Sequence, residues 1–267
     1  MKKALLGAVL SVAVPSVVLA ADLSYLKGPA PSAFDWTGLY VGGHIGGGWA
    51  DNQFSDFSGG PAGFGGPGNA TLVTQTTHSS GFLGGVQGGY NYQVGRLVLG
   101  ADFDFSWTST DGTNTSSYAD FIGDPLNKSQ VITADTNWTG TATTRLGVAR
   151  NNWLFYSKLG SAWVNTDYTQ HNTHVTNGFD IFDGTGSKTL IGWTVGTGIE
   201  WAFLNNWTAK LEYDYIDLGS NAITISGTRD PGKFYASPLS FTTTNLQSIS
   251  EVKFGLNYKF DPGWLFW

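Results

Sequence analysis

Trp207-Thr208-Ala209-Lys210-Leu211-Glu212-Tyr213-Asp214-Tyr215 decides the fold. Every second residue is apolar or aromatic: Trp207, Ala209, Leu211, Tyr213 and Tyr215. Between them stand Thr208, Lys210, Glu212 and Asp214. Successive side chains of a strand point to opposite faces, so this segment reads as a β-strand with one greasy face and one charged face.

The same alternation recurs along the chain, and eight strands are predicted near 37–49, 81–93, 96–107, 138–149, 153–164, 190–203, 207–217 and 249–260. The third presents Leu97, Leu99, Ala101, Phe103, Phe105 and Trp107 on one face. The sixth presents Trp193, Val195, Thr197, Ile199, Trp201 and Phe203, and the eighth Val252, Phe254, Leu256, Tyr258 and Phe260. Each stretch reaches the roughly 9–11 residues with which a tilted strand crosses a bilayer. The opposite faces carry Asp102, Asp104, Arg145, Lys158, Glu200, Lys210, Glu212, Asp214, Glu251, Lys253 and Lys259.

Which face points inward separates a soluble barrel from a membrane barrel. A lipocalin-type barrel is apolar inside and wet outside. Here the aromatic faces are too bulky to fill the interior of eight strands. Charge on a lipid face costs about 2–4 kcal/mol at the bilayer midplane for Arg or Lys. The charged faces are therefore read as interior and mutually paired, and the aromatic faces as lipid-facing. Inward glycines at Gly42, Gly46, Gly85, Gly89, Gly196 and Gly198 leave room for water and a narrow leak.

The connections alternate in length. Val94-Gly95, Arg150-Asn151-Asn152 and Leu204-Asn205-Asn206 are tight turns. Segments near 50–80, 108–137, 165–189 and 218–248 read as four long loops rich in Gly, Thr, Ser, Asn and Asp. Short periplasmic turns and long extracellular loops are the pattern of an outer-membrane barrel. Aromatics fall at both strand ends, as two headgroup layers require. Trp49, Phe82, Trp107, Trp138, Trp163, Trp193 and Tyr215 lie toward the loops. Tyr92, Trp153, Trp201, Phe203, Trp207, Tyr258 and Phe260 lie toward the turns. The reading is an all-β fold, an eight-stranded antiparallel up-and-down transmembrane β-barrel integral to the outer membrane.

Composition agrees. Charged residues are 13% of the 267, aromatics 15%, and Gly numbers 37, whereas an ordinary soluble domain is about 25% charged. Lys2 and Lys3, the apolar run Leu5 to Val14 and Val18-Leu19-Ala20 form a signal peptide with the cut after Ala20. Its apolar run is shorter than the roughly 20 residues of a spanning helix. Residues 21–36 are read as a periplasmic lead-in, 37–260 as the barrel and 261–267 as an aromatic tail. Loss of Lys2 and Lys3 leaves 12 basic against 20 acidic residues, a net charge of −8, which argues against nucleic acid. Cysteine is absent, so disulfides and thiol chemistry are excluded.

Several stretches resemble the small outer-membrane immunogenic barrels of alphaproteobacteria, within the OmpA-like, opacity-protein-like superfamily. They are Trp36-Thr37-Gly38-Leu39-Tyr40-Val41-Gly42-Gly43, Gly88-Gly89-Tyr90-Asn91-Tyr92, Arg145-Leu146-Gly147-Val148-Ala149, Gly192-Trp193-Thr194-Val195-Gly196, Asn206 to Tyr213 and Gly255-Leu256-Asn257-Tyr258-Lys259-Phe260. The resemblance implies a surface antigen, often described as a porin, and no catalytic residues. In some relatives it implies haemin binding. The tail Asp261 to Trp267 departs from barrels that end on the aromatic of the last strand.

Other motifs carry less. Gly63-Phe64-Gly65-Gly66-Pro67-Gly68 lacks the strand and helix that hold a pyrophosphate. His171 and His174 are too few for a metal or haem site. Asp111, Asp120, Asp124, Asp180 and Asp183 lack the spacing of a calcium loop. His44 faces inward, away from the lipid where a lipid-modifying enzyme would work. No cofactor, metal or catalytic set is therefore assigned, and the protein is read as a non-enzyme. The leading function is structural, a surface barrel with a mostly plugged lumen. A small diffusion pore and a surface receptor or adhesin, such as a haemin binder, are the alternatives. The expected partners are outer-membrane lipid, lipopolysaccharide and the barrel-assembly machinery; the sequence does not name a loop ligand.

Overall fold

The computed structural model describes residues 34–58, 75–111, 113–118, 128–174, 180–229 and 237–260. The signal peptide, most of the lead-in, the glycine run 63–68, the tail 261–267, Asp120 and Asp124 lie outside them. Strands run β1 Gly38–Ser58, β2 Gln75–Val94, β3 Leu97–Asp111, β4 Thr113–Tyr118, β5 Lys128–Arg150, β6 Trp153–His174, β7 Asp180–Ala202, β8 Trp207–Arg229 and β9 Ser237–Lys259.

Every neighbouring pair is antiparallel, and the sheet closes on itself. β3 pairs with β5 from Leu97↔Val148 to Thr110↔Thr136, and β4 continues along β5 from Thr113↔Thr133 to Tyr118↔Lys128. β3 and β4 are thus one stave in two pieces, and the barrel has eight staves. First and last strands meet at Tyr40↔Lys259. A closed ladder gives backbone groups partners within lipid and leaves no sheet edge along the staves. The turns are tight: Gly95-Arg96 joins β2 to β3, and Asn151-Asn152 joins β5 to β6. Gly95 (φ 62°) and Asn151 (φ 54°) adopt the left-handed conformation that two-residue hairpins need.

The long segments are built differently from loops. β5, β7, β8 and β9 each run 23 residues, about twice what a bilayer needs. Most of 165–189 and 218–248, and both ends of 50–80 and 108–137, continue the barrel as strand. Polarity inverts where the strands leave the membrane. Between the aromatic belts the outside is apolar and the inside charged. Above the upper belt Phe54, Ile132, Ala134, Tyr168, Phe182, Leu190, Ile223 and Ile225 are buried in one inner cluster. The outer face there carries exposed Asp51, Thr76, Asp167, Thr169, Ser187 and Thr224.

Bulges near the upper belt complicate the pattern. In β8 the inward residues are Asp214, Ile216 and Leu218, then Ile223 and Ile225. The alternation changes phase at Gly219 (φ 61°), whose N–H donates to Asp217 Oδ1 at 2.7 Å. β5 slips between Thr136 and Trp138 in the same way. Next to the β8 bulge the β7–β8 ladder is interrupted between Thr185↔Ser226 and Trp193↔Asp217. Side chains step in there: Lys188 Nζ donates to the Ala222 carbonyl and Asn221 Nδ2 to that of Leu218, both at 2.7 Å.

Candidate functional site

The inner face between the belts is lined by charge, because residues of one parity on each stave must point there. Asp102 and Asp104 come from β3, Arg145 from β5, Lys158 from β6, Glu200 from β7, Lys210, Glu212 and Asp214 from β8, and Glu251 and Lys253 from β9. All are buried. Arg145 holds Asp102 at 2.7 Å through Nε and Glu200 at 3.0 Å through Nη1. Its guanidinium lies 4.0 Å from the centre of the Tyr156 ring and 5.4 Å from that of Tyr40. Lys158 Nζ reaches three carboxylates: Asp104 at 3.2 Å, Glu212 at 2.8 Å and Asp214 at 3.1 Å. Lys210 contacts Asp104 at 3.5 Å and Glu212 at 3.2 Å. Lys253 joins Asp214 at 2.8 Å to Glu251 at 3.1 Å.

Neutral groups complete the layer. Tyr156 OH donates to Glu212 at 2.6 Å, Thr139 to Glu251 at 3.0 Å and Asn257 to Glu200 at 2.8 Å. Thr208 also donates to Glu200. On the glycine-rich side, His44 Nδ1 contacts Gln87 at 3.0 Å and Nε2 contacts Ser106 at 2.8 Å, and Gln87 donates to Asn257. Such partners matter because an unpaired buried charge costs several kcal/mol.

Lys259 does not belong to this layer. It is the last inward residue of β9, so it sits at the periplasmic mouth. Its amine donates to the Thr37 carbonyl at 3.2 Å and stands 5.1 Å from the centre of the Phe34 ring. Side chains occupy the space above several of the six inward glycines. The Tyr40 ring covers Gly89, the Tyr156 ring covers Gly198, and Asp214 with Lys158 covers Gly196. Sequence reasoning missed Tyr156, Gln87, Ser106, Thr208 and Asn257. Their inward parity was available, but an uncharged side chain in a strand gives no separate signal.

The belts face outward. Phe105 stacks on Trp138 with ring centres 5.6 Å apart, and Trp193 meets Tyr215 at 5.8 Å. Toward the turns Trp153 stacks on Trp201 at 5.8 Å and Trp207 meets Tyr258 at 5.2 Å. Trp49, Trp107 and Trp163 extend the upper belt, and Phe260 packs edge-on against Tyr258 at 5.2 Å in the lower one.

Above the belts an inner amide chain runs from Asn52 through Asn245 (3.0 Å) and Tyr168 (3.3 Å) to Gln247 (3.3 Å). Burial pushes the Tyr168 hydroxyl up to about 12, which keeps it a donor. On the outer wall His171 lies 3.8 Å from Asp183. No group of three or more metal-ligating side chains occurs among the described residues.

A family model for the outer membrane protein beta-barrel domain matches residues 18–260. The chain belongs to this family. It is 32% identical to the 31 kDa outer-membrane immunogenic protein of Brucella melitensis biotype 1, over 97% of this chain and 100% of that protein. It is 27% identical to the 22 kDa outer membrane protein of Rhizobium leguminosarum bv. viciae, over 88% of this chain and 82% of that one. Among solved structures it is similar to OprG of Pseudomonas aeruginosa, with 13% identity, a TM-score of 0.40 and coverage of 85% of this chain and 99% of that one. The protein is an outer-membrane β-barrel, and the alphaproteobacterial immunogenic family is the branch to which its sequence ties it.

Proposed function

We propose that this barrel is a non-enzymatic structural and surface-display element of the outer membrane, with a lumen closed by its own side chains. The observation that carries the reading is the ion-pair layer. Lys210 on β8 reaches Asp104 on the opposite stave, β3, and Arg145 and Lys158 reach carboxylates two staves away, so these bonds extend into the lumen, while Lys253 pairs with the neighbouring strand and its own. An eight-stranded barrel has an interior just wide enough for side chains, whereas general porins use 16–18 strands. Above the belts the apolar inner cluster continues the barrel wall beyond the membrane, which suits surface display. Relatives named as immunogenic proteins support surface display. The belts suit outer-membrane lipid, the hydroxyl-rich outer wall suits lipopolysaccharide sugars, and the barrel-assembly machinery is the insertion partner.

Liposome swelling tests the closed lumen. Proteoliposomes in isosmotic pentose solution should swell no faster than protein-free vesicles. Swelling that rises with protein dose and falls with sugar size would establish the diffusion-pore reading instead.

A further inference from the structure

The short segment ahead of β1 does something the charged layer does not. Trp36 is 2% exposed. It joins a buried cluster with Val98 of β3, Ala149 of β5, Leu154 and Tyr156 of β6 and Ala202 of β7. These are inward residues at the turn end of their staves, so the indole sits inside the periplasmic mouth. The chain bends there at Gly38, whose φ of 140° is open mainly to glycine. Phe34 packs edge-on against Trp36 with ring centres 4.8 Å apart. The backbone on either side is tied to the barrel rim. Trp36 N donates to Gln93 Oε1 at 2.8 Å, Gln93 N donates to Thr37 Oγ1 at 3.1 Å, and Lys259 Nζ donates to the Thr37 carbonyl at 3.2 Å.

We propose that residues 34–37 form a stopper seated in the periplasmic mouth, a second barrier separate from the charged layer and able to leave without unfolding the barrel. The proposal rests on the closed-lumen reading and adds to it a part that can move. Two features favour release. The segment hangs outside the strand ladder, so unseating it breaks only a few hydrogen bonds. The Trp36 indole Nε1 is buried without a partner, a donor that water would satisfy on release. The far side of the cluster leads into the charged layer, because Tyr156 carries both the Arg145 guanidinium and the bond to Glu212.

The chain contains no cysteine, so Ala202→Cys puts a single thiol behind the stopper. Refolded barrel in liposomes, periplasmic mouth outward, is exposed to a charged, membrane-impermeant maleimide. With Trp36 present the thiol should react slowly. Adding Trp36→Ala should speed labelling at least about tenfold, since local opening sets the rate. Trp36→Phe, which keeps a ring and removes the unpaired donor, should label as slowly as the parent or more slowly. A heat-sensitive shift on an SDS gel confirms that each variant is folded. Where Trp36→Ala loses that shift, Gln93→Ala replaces it, for it frees the strap backbone and leaves the ring intact. Equal labelling rates with and without the stopper contacts would overturn the proposal. Failure of the charged layer reads differently: Trp36→Ala alone would then conduct ions, which would retain the stopper and discard the layer as a barrier.

Discussion

Arg145→Met removes the most constrained cation of the inner layer and keeps a long side chain. Asp102 loses the guanidinium that holds it at 2.7 Å. Glu200 loses its 3.0 Å contact but keeps Thr208 and Asn257 as donors. The unequal outcome makes Asp102 the orphan, and breaking a buried pair from one side costs about 3–5 kcal/mol. Lost packing of the cation on Tyr156 lies within that range, because the methionine still covers part of the ring. Folded domains have a total stability of about 5–15 kcal/mol, so the effect is a large fraction. Adding Asp102→Asn removes the orphan charge and should recover most of the loss, since replacing both members of a buried pair is often near neutral. Equilibrium urea unfolding of refolded barrel in lipid, followed by tryptophan fluorescence, measures both variants. A single variant within about 1 kcal/mol of wild type, the range of ordinary substitutions, would refute a paired interior. So would a double variant no more stable than the single.

Two further outcomes follow from the strands. Leu211→Arg places charge midway between Trp207 and Tyr215 on the lipid face and should cost about 2–4 kcal/mol; Thr224→Arg, on the outer wall of the same strand above the belt, should stay within about 0.5 kcal/mol. Equal costs at the two sites would contradict the polarity inversion. Amide hydrogen exchange should be faster in 186–192 and 218–225, where the β7–β8 ladder is interrupted, than in the continuous β8–β9 ladder below Asp217; uniform protection would mean that the seam is closed.

Much of the membrane part was legible because lipid imposes a strict rule. Alternating Trp207, Leu211 and Tyr215 against Lys210, Glu212 and Asp214 can be satisfied in only one orientation. The height of the barrel was not legible. Above the membrane the apolar side chains move inside, and the bulge at Gly219 shifts the phase within β8, so Ile223 and Ile225 cannot be joined to Leu211 by one alternation. Thr-, Ser- and Asn-rich strand therefore looks like loop. Lys259 has the inward parity of the other cations, but parity does not encode depth. Trp36 reads as part of the periplasmic lead-in, and no alternation places it inside the barrel. Gly38 and contacts distant in sequence turn it inward, among them the tie to Gln93, which pairs residues 57 apart.

Single-channel recording from purified wild-type barrel in a planar bilayer tests the filled lumen most directly. Side chains bonded across the interior should leave only small or rare conductance steps. Large, stable, long-lived open channels from a wild-type monomer would contradict it.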